Sequence, residues 1–171
     1  MNPRNVGMMS KKIRQWCDVD HDSIVIDVGA YDVNGNLRPA IPDRWTYIGV
    51  DRVAGPNVDT VMPDDYTIPY EFADVIISTS CFQYVRNPFK LMQEINDTLP
   101  TGGIVIICAP KEEKEGLLGL PEKLSPNNDT SFDCWRYLKG GMTALLEDSG
   151  FDVLDVSHQD GGTTWGVGRA Q

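Results

Sequence analysis

Four short, nearly unbroken apolar runs limit most strongly what this chain can fold into. They are residues 23–28 (SIVIDV), 46–50 (TYIGV), 73–79 (ADVIIST) and 103–108 (GIVIIC), with a fifth, sparser run at 57–62 (NVDTVM). Branched side chains crowd a helix but fit a pleated strand. A strand that is apolar on both faces needs cover on both, which is the mark of a parallel sheet between helical layers.

The segments between the runs supply that cover. After Asn87-Pro88, the residues Phe89, Leu91, Met92, Ile95 and Leu99 recur at three- and four-residue spacing, so they predict one helix with a single apolar stripe. Pro100 and Gly102-Gly103 stop it. A second helix is expected over 139–149, turning Met142, Leu145 and Leu146 inward and ending at Gly150. Two closing strands, 151–157 and 163–168, flank the QDGG turn at 159–162 and read as a hairpin, with one member antiparallel to the other strands. The connections after the second and third runs are too short and Pro-rich for full helices. The expected fold is therefore α/β, a Rossmann-like doubly wound and mostly parallel sheet with a C-terminal antiparallel hairpin and pared-down helices.

At 171 residues the chain has the length of one domain, residues 1–171. Residues 1–22 form a helical lead-in, and 111–132, rich in charge, Pro and Asn, form a long connection that suits a lid or acceptor loop. No run approaches the roughly 20 apolar residues that span a bilayer. The N-terminus lacks the apolar core of a secretory signal, so a soluble, cytoplasmic protein is expected. A formal charge of −10 argues against general nucleic-acid binding, and the one basic cluster, Lys11, Lys12 and Arg14, reads as a solvated helix face. Cys17, Cys81, Cys108 and Cys134 stand far apart beside only two histidines, His21 and His158, so no common zinc-site spacing exists and reduced thiols are expected.

In an open parallel sheet, ligands lie beyond the carboxyl ends of the strands. The first run ends in Asp27-Val28-Gly29-Ala30-Tyr31, where a glycine permits a tight turn and a close approach. The second ends at Asp51, about 22 residues past Gly29, where a carboxylate can take both hydroxyls of a ribose. After the third, Asp64-Asp65 can accept from an adenine amino group. Each has a plain structural reading as well, a turn glycine or a helix cap. A nicotinamide or flavin site would need G-x-G-x-x-G, and Tyr31 and Asn34 occupy its second and third glycine positions.

In these motifs the chain resembles the class I S-adenosylmethionine-dependent methyltransferases, nearest the small type 11 methyltransferase-domain group. DVGAYDVNG at 27–35 is similar to the family's first motif, and IGVDR at 48–52 to its second. Asp64 before Ile68-Pro69-Tyr70 is similar to its acid and leucine-proline-aromatic stretch. The block 73–110 is the most specific match, and 133–151 resembles the late helix.

The resemblance implies S-adenosylmethionine as cofactor and S-adenosylhomocysteine as product. It places Gly29, Ala30 and Tyr31 along the methionine moiety with Asp27 beneath, Asp51 on the ribose and Arg52 beside the adenine. Asp64 and Asp65 would meet the adenine edge, and Ser80, Cys81 and Phe82 would cover the cofactor. Arg52 and Phe82 read equally as surface charge and core aromatic. Where relatives often carry Glu-His after the fourth strand, this chain has Gln83-Tyr84, and the general-base role is unassigned.

Methyl transfer from a sulfonium needs chiefly a held near-attack geometry, so no compact catalytic motif is expected. Tyr84, Asp133, Trp135, Arg136 and His158 are candidates at the acceptor mouth, with Asp133 or His158 able to take a proton. The implied acceptor is a small or sugar-like molecule. A non-catalytic partner or cofactor-sensing subunit of the same fold is the alternative.

Overall fold

The computed structural model of the protein describes residues 3–33, 35–63, 65–112 and 134–171. Its elements are α1 (Pro3–Trp16), β1 (Ile24–Val28), β2 (Thr46–Asp51), β3 (Thr60–Val61), β4 (Val75–Thr79), α2 (Pro88–Thr98), β5 (Ile104–Pro110), α3 (Lys139–Glu147), β6 (Phe151–Gln159) and β7 (Thr163–Ala170). The seven strands form one sheet in the order β3-β2-β1-β4-β5-β7-β6. β1 to β5 pair in parallel, while β7 runs antiparallel to both β5 and β6. The expected α/β sheet with a closing antiparallel hairpin is the one observed.

Alternation along the strands sends side chains to two cores. Ile26, Ile76, Val105 and Ile107 join Leu91, Met92 and Ile95 of α2 and Leu145 and Leu146 of α3 on one face. Val25, Val75, Ile77, Ile104 and Ile106 join Met9 and Ile13 of α1 on the other. Both faces are therefore covered, as the unbroken apolar runs require. No described helix is long and apolar enough to cross a membrane.

The helix α2 begins where its sequence demands: the Asn87 side chain accepts from the Lys90 N–H, and Pro88 sits in the first turn. Phe89 departs from the expected stripe, being 49% exposed. It lies about 100° around the helix from the centre of the Leu91, Met92, Ile95 row, so it flanks the buried face. The third strand is shorter than 57–62, because Asn57 adopts φ +69° and Val58 closes a turn onto the Gly55 carbonyl. Among the described residues no helix follows β2 or β3, and the β1–β2 connection holds a 3₁₀ turn, Arg38–Ala40.

The basic cluster on α1 requires a correction. Lys11 and Arg14 are exposed, but Lys12 is buried. Its Nζ lies 2.6 Å from Asp155 Oδ2 and 3.2 Å from Ser157 Oγ on β6. It also sits 5.8 Å from the centre of the Trp165 ring. Lys12 is next to Ile13 on the face that α1 turns toward the sheet, so its long stem runs over apolar surface to a carboxylate. The basic residue is a clamp between α1 and the hairpin.

All four cysteines are free thiols, although only Cys108 is fully buried and Cys134 is exposed. No metal-binding cluster of His, Cys, Asp or Glu exists among the described residues.

Candidate functional site

The order β3-β2-β1-β4-β5 reverses direction between β1 and β4, which opens a crevice at the carboxyl ends of those strands. Gly29, just past β1, takes φ +83°. A β-carbon there would come within 2.6 Å of Cys81 Cβ and Sγ, so only glycine lets the β1 and β4 tips approach this closely. The N–H groups of Gly29 and Ala30 donate to the Val50 carbonyl at 2.9 and 3.1 Å, stitching the loop to β2.

The next amide completes the link to Asp51. Tyr31 N–H donates to Asp51 Oδ2 at 3.0 Å, and Val53 N–H to Oδ1 at 3.3 Å. A carboxylate offers about four lone-pair positions, so acceptor capacity remains on both oxygens. Burial raises the Asp51 pKa, opposed by these backbone hydrogen bonds and by the Arg52 charge. The Tyr31 ring lies against Gly55, where a β-carbon would meet its Cε2 at 2.1 Å, so the aromatic side chain is parked on the β2–β3 loop.

Beneath the loop is a polar cradle that pattern reading missed. Tyr47 Oη donates to Asp27 Oδ2 at 2.6 Å, and Asn57 Nδ2 reaches both the Ala30 carbonyl at 2.9 Å and Tyr47 Oη at 2.8 Å. Arg38 Nε donates to Asn57 Oδ1 at 2.7 Å, its guanidinium pairs with Asp59 at 3.0 Å, and it stacks 4.2 Å over the Tyr47 ring. Asp59 in turn accepts from Gly49 N–H at 2.7 Å. These residues come from two strands, β1 and β2, and from the two connections that flank β2, and they share no spacing rule. The only local signal was Gly49, whose missing side chain admits the Asn57 carbonyl, 2.1 Å from where a β-carbon would stand. Asp27 is enclosed, and burial pushes its pKa up to about 7 despite the Tyr47 hydrogen bond.

On the β4 side, Ser80 is exposed with φ +53°, and Cys81 packs on Gly29. Burial pushes the Cys81 thiol up to about 12, so it is a packing group rather than a nucleophile. Phe82 is fully buried in the apolar core. Gln83 is 2% exposed, donates Nε2–H to the Ser80 carbonyl at 2.9 Å, and leaves Oε1 buried without a donor. The 134–137 segment is laid across this turn. Cys134 and Trp135 donate to the Gln83 carbonyl at 2.6 and 3.2 Å, and Trp135 Nε1–H donates to Val85 at 2.8 Å. Tyr137 Oη reaches the Phe82 carbonyl at 3.3 Å.

The structure thus joins Asp27, Gly29, Ala30, Tyr31, Asp51 and Cys81 in one place, flanked by Arg52. Tyr84 is half-buried in the turn after β4, its N–H on the Cys81 carbonyl at 2.9 Å. Arg136 donates to the Glu112 carbonyl at 3.0 Å, at the start of the long connection. Asp65 is exposed, its carboxylate accepting from Thr67 N–H at 3.1 Å, which lowers its pKa. His158 is exposed near the end of β6, four strands from β1, or about 19 Å at the usual strand spacing. Its pKa is lowered by slight desolvation and by Lys111 and Lys139. Asp64, Asp133 and nearly all of the 111–132 connection lie outside the described residues.

Comparison with known proteins follows this geometry. Residues 8–156 match the methyltransferase domain family. No curated protein matches the sequence. A SAM-dependent methyltransferase from Aquifex aeolicus is a structural neighbour, with a TM-score of 0.68 and 17% identity over 100% of both chains. The CurJ carbon methyltransferase is another, with a TM-score of 0.67 and 17% identity over 99% of this chain and 54% of that one. CalO1, a methyltransferase in calicheamicin biosynthesis whose structure is the SAH-bound form, gives a TM-score of 0.63 and 14% identity over 98% of this chain and 54% of its own.

Proposed function

From the premise that the chain belongs to the methyltransferase domain family and has the class I S-adenosylmethionine-dependent fold, we propose that it transfers a methyl group to a small or sugar-like acceptor by in-line displacement. S-adenosylmethionine is the cofactor, and S-adenosylhomocysteine the product. The observation that carries the reading is the clamp of the Gly29–Tyr31 loop onto Asp51, which leaves acceptor positions on a carboxylate at the β2 tip.

The residues present fit that cofactor. Asp51 holds the ribose hydroxyls on its unfilled lone pairs, and the bare backbone at Gly29 lines the methionine moiety. Asp27 and Asp51 are two carboxylates whose pKa values burial has raised, and a ligand carrying sulfonium and ammonium charges relieves that cost. Bound there, the cofactor supplies a sulfonium methyl group, a centre that already carries its leaving group. The protein's part is to orient the acceptor and exclude water, for which the Ser80–Gln83 turn and the 134–137 segment form one wall. We assign Asp64 and Asp65 to the adenine edge, Arg52 to its flank, and Ser80, Cys81 and Phe82 to the cover over the cofactor. Tyr84, Asp133 and His158 are the groups to test for acceptor contact or proton transfer. The acceptor's reacting atom stays open, since one neighbour of this fold is named as a carbon methyltransferase.

Incubation with methyl-labelled S-adenosylmethionine and a panel of hydroxyl, amine and carbon acceptors tests the reading. Label transfer to an acceptor is expected. Cofactor binding with no transfer to any acceptor would instead point to a cofactor-sensing or partner subunit.

A further inference from the structure

Behind the β1 tip, a chain of hydrogen bonds runs from Asp59 through Arg38, Asn57 and Tyr47 to Asp27, and its direction is fixed from the outer end. We propose, resting on the reading that S-adenosylmethionine occupies the cleft, that Tyr47 positions Asp27 to hold the cofactor's ammonium group, with Arg38 setting the direction of the donation.

A guanidinium can only donate, so Arg38 decides which end of the Asn57 amide faces it. Its Nε–H donates to Asn57 Oδ1, and the Nδ2 end therefore turns inward, to the Ala30 carbonyl and to Tyr47 Oη. Both amide hydrogens are then used. Because Tyr47 Oη accepts from Asn57, its own hydrogen goes to Asp27 Oδ2, 2.6 Å away. Arg38 is held in turn by both oxygens of Asp59, at 3.2 and 3.0 Å, and by the Tyr47 ring it stacks on.

That direction decides what Asp27 can do. A donating hydroxyl favours the charged carboxylate and occupies the oxygen it meets. Oδ1 accepts no hydrogen bond among the described residues, yet, unlike the partnerless Gln83 Oε1, it is not shut off from water. Gly29, two residues on, has no side chain to stand between it and the cleft. The groups facing Asp27 are Tyr47 and Arg38 behind, Asp51 at the β2 tip and the Cys81 thiol after β4. Arg38 is already paired with Asp59, and Arg52 acts on Asp51. What the Asp27 carboxylate lacks is a cation of its own, and the amino group of the cofactor's methionine moiety supplies one.

Calorimetric titration with S-adenosylhomocysteine, and with its analogue in which hydrogen replaces the amino group, tests the assignment. Tyr47→Phe keeps the ring under Arg38 and deletes the hydroxyl. It should lose about tenfold in affinity for S-adenosylhomocysteine and less than about twofold for the deamino analogue, the scale of one hydrogen bond to a charged group. Without that donor Asp27 ionises at higher pH, so the pH at which the affinity ratio of the two ligands rises should move upward. Arg38→Met, at an exposed position, should show the same selectivity with a smaller loss, and decides the matter where the Tyr47 variant does not fold. Equal losses for both ligands would make Tyr47 a prop for the loop and overturn the proposal, as would no loss, or a parent that binds the two ligands equally. The cofactor reading fails by a different result, a parent that binds neither ligand, and the proposal falls with it.

Discussion

At the scale of single residues, Asp27 and Asp155 make opposite predictions from the same physics. Asp27 is enclosed and its pKa is raised to about 7 by burial. Between its unfolded value of about 3.9 and that figure, the folded chain holds a proton that the unfolded chain has released. Its contribution therefore falls as pH rises through this window. Asp27→Asn removes the titration, so melting curves should show the variant gaining on the parent from pH 5 to pH 8. An offset that does not change with pH would contradict this account.

Burial also pushes Asp155 upward, but hydrogen bonds from Lys12 and Ser157 outweigh it and leave its pKa below the ordinary value. That stabilisation is present above the unfolded pKa and is lost as pH falls through the folded one. Replacing Lys12 with Met should cost about 2 kcal/mol at pH 7, below the usual cost of breaking a buried pair because Asp155 is 31% exposed. Urea unfolding should show this difference shrinking toward pH 3. Neither role could be read from the sequence, since a lysine in a basic run looks the same whether its partner is water or a carboxylate 143 residues away.

At the scale of elements, the connections near the site depend on close backbone crossings. Gly49 on β2 lies under the Asn57 carbonyl, and a β-carbon there would stand 2.1 Å from that oxygen. The neighbour is backbone, with no flexible tip to swing aside. Gly49→Ala should thus cost about 1–3 kcal/mol, the range for overpacking, and loosen the Asn57 hydrogen bonds to Ala30 and Tyr47. Hydrogen exchange at Ala30 and Tyr31 should speed up in the variant. Exchange unchanged from the parent would detach the β2–β3 loop from the β1 tip.

The strands and helices themselves were legible because burial on two faces writes unbroken apolar runs and stripes into the chain. The third strand and Phe89 were misread where a positive φ at Asn57 and a flanking helical position decided the outcome. Gly29 and Asp51 could be found from their places at strand ends. The cradle of Arg38, Tyr47, Asn57 and Asp59 could not, because polar groups from a strand and the two connections that flank it leave no period.

At the scale of the molecule, the sheet gathers residues far apart in sequence at one edge. The tips of β1, β2 and β4 present two carboxylates, Asp27 and Asp51, whose pKa values burial has raised, beside the tight turn at Gly29. A ligand that binds only the folded chain stabilises it by mass action, by about 2.7 kcal/mol at a hundredfold excess over Kd. The central claim is that a nucleoside cofactor is held across the strand tips with Asp51 on its ribose. Calorimetric titration of the parent and Asp51→Ala with S-adenosylhomocysteine tests it most directly. The account predicts one site per chain in the parent and at least a tenfold loss in the variant; equal affinity in the two proteins, or no heat from the parent at millimolar ligand, would contradict it.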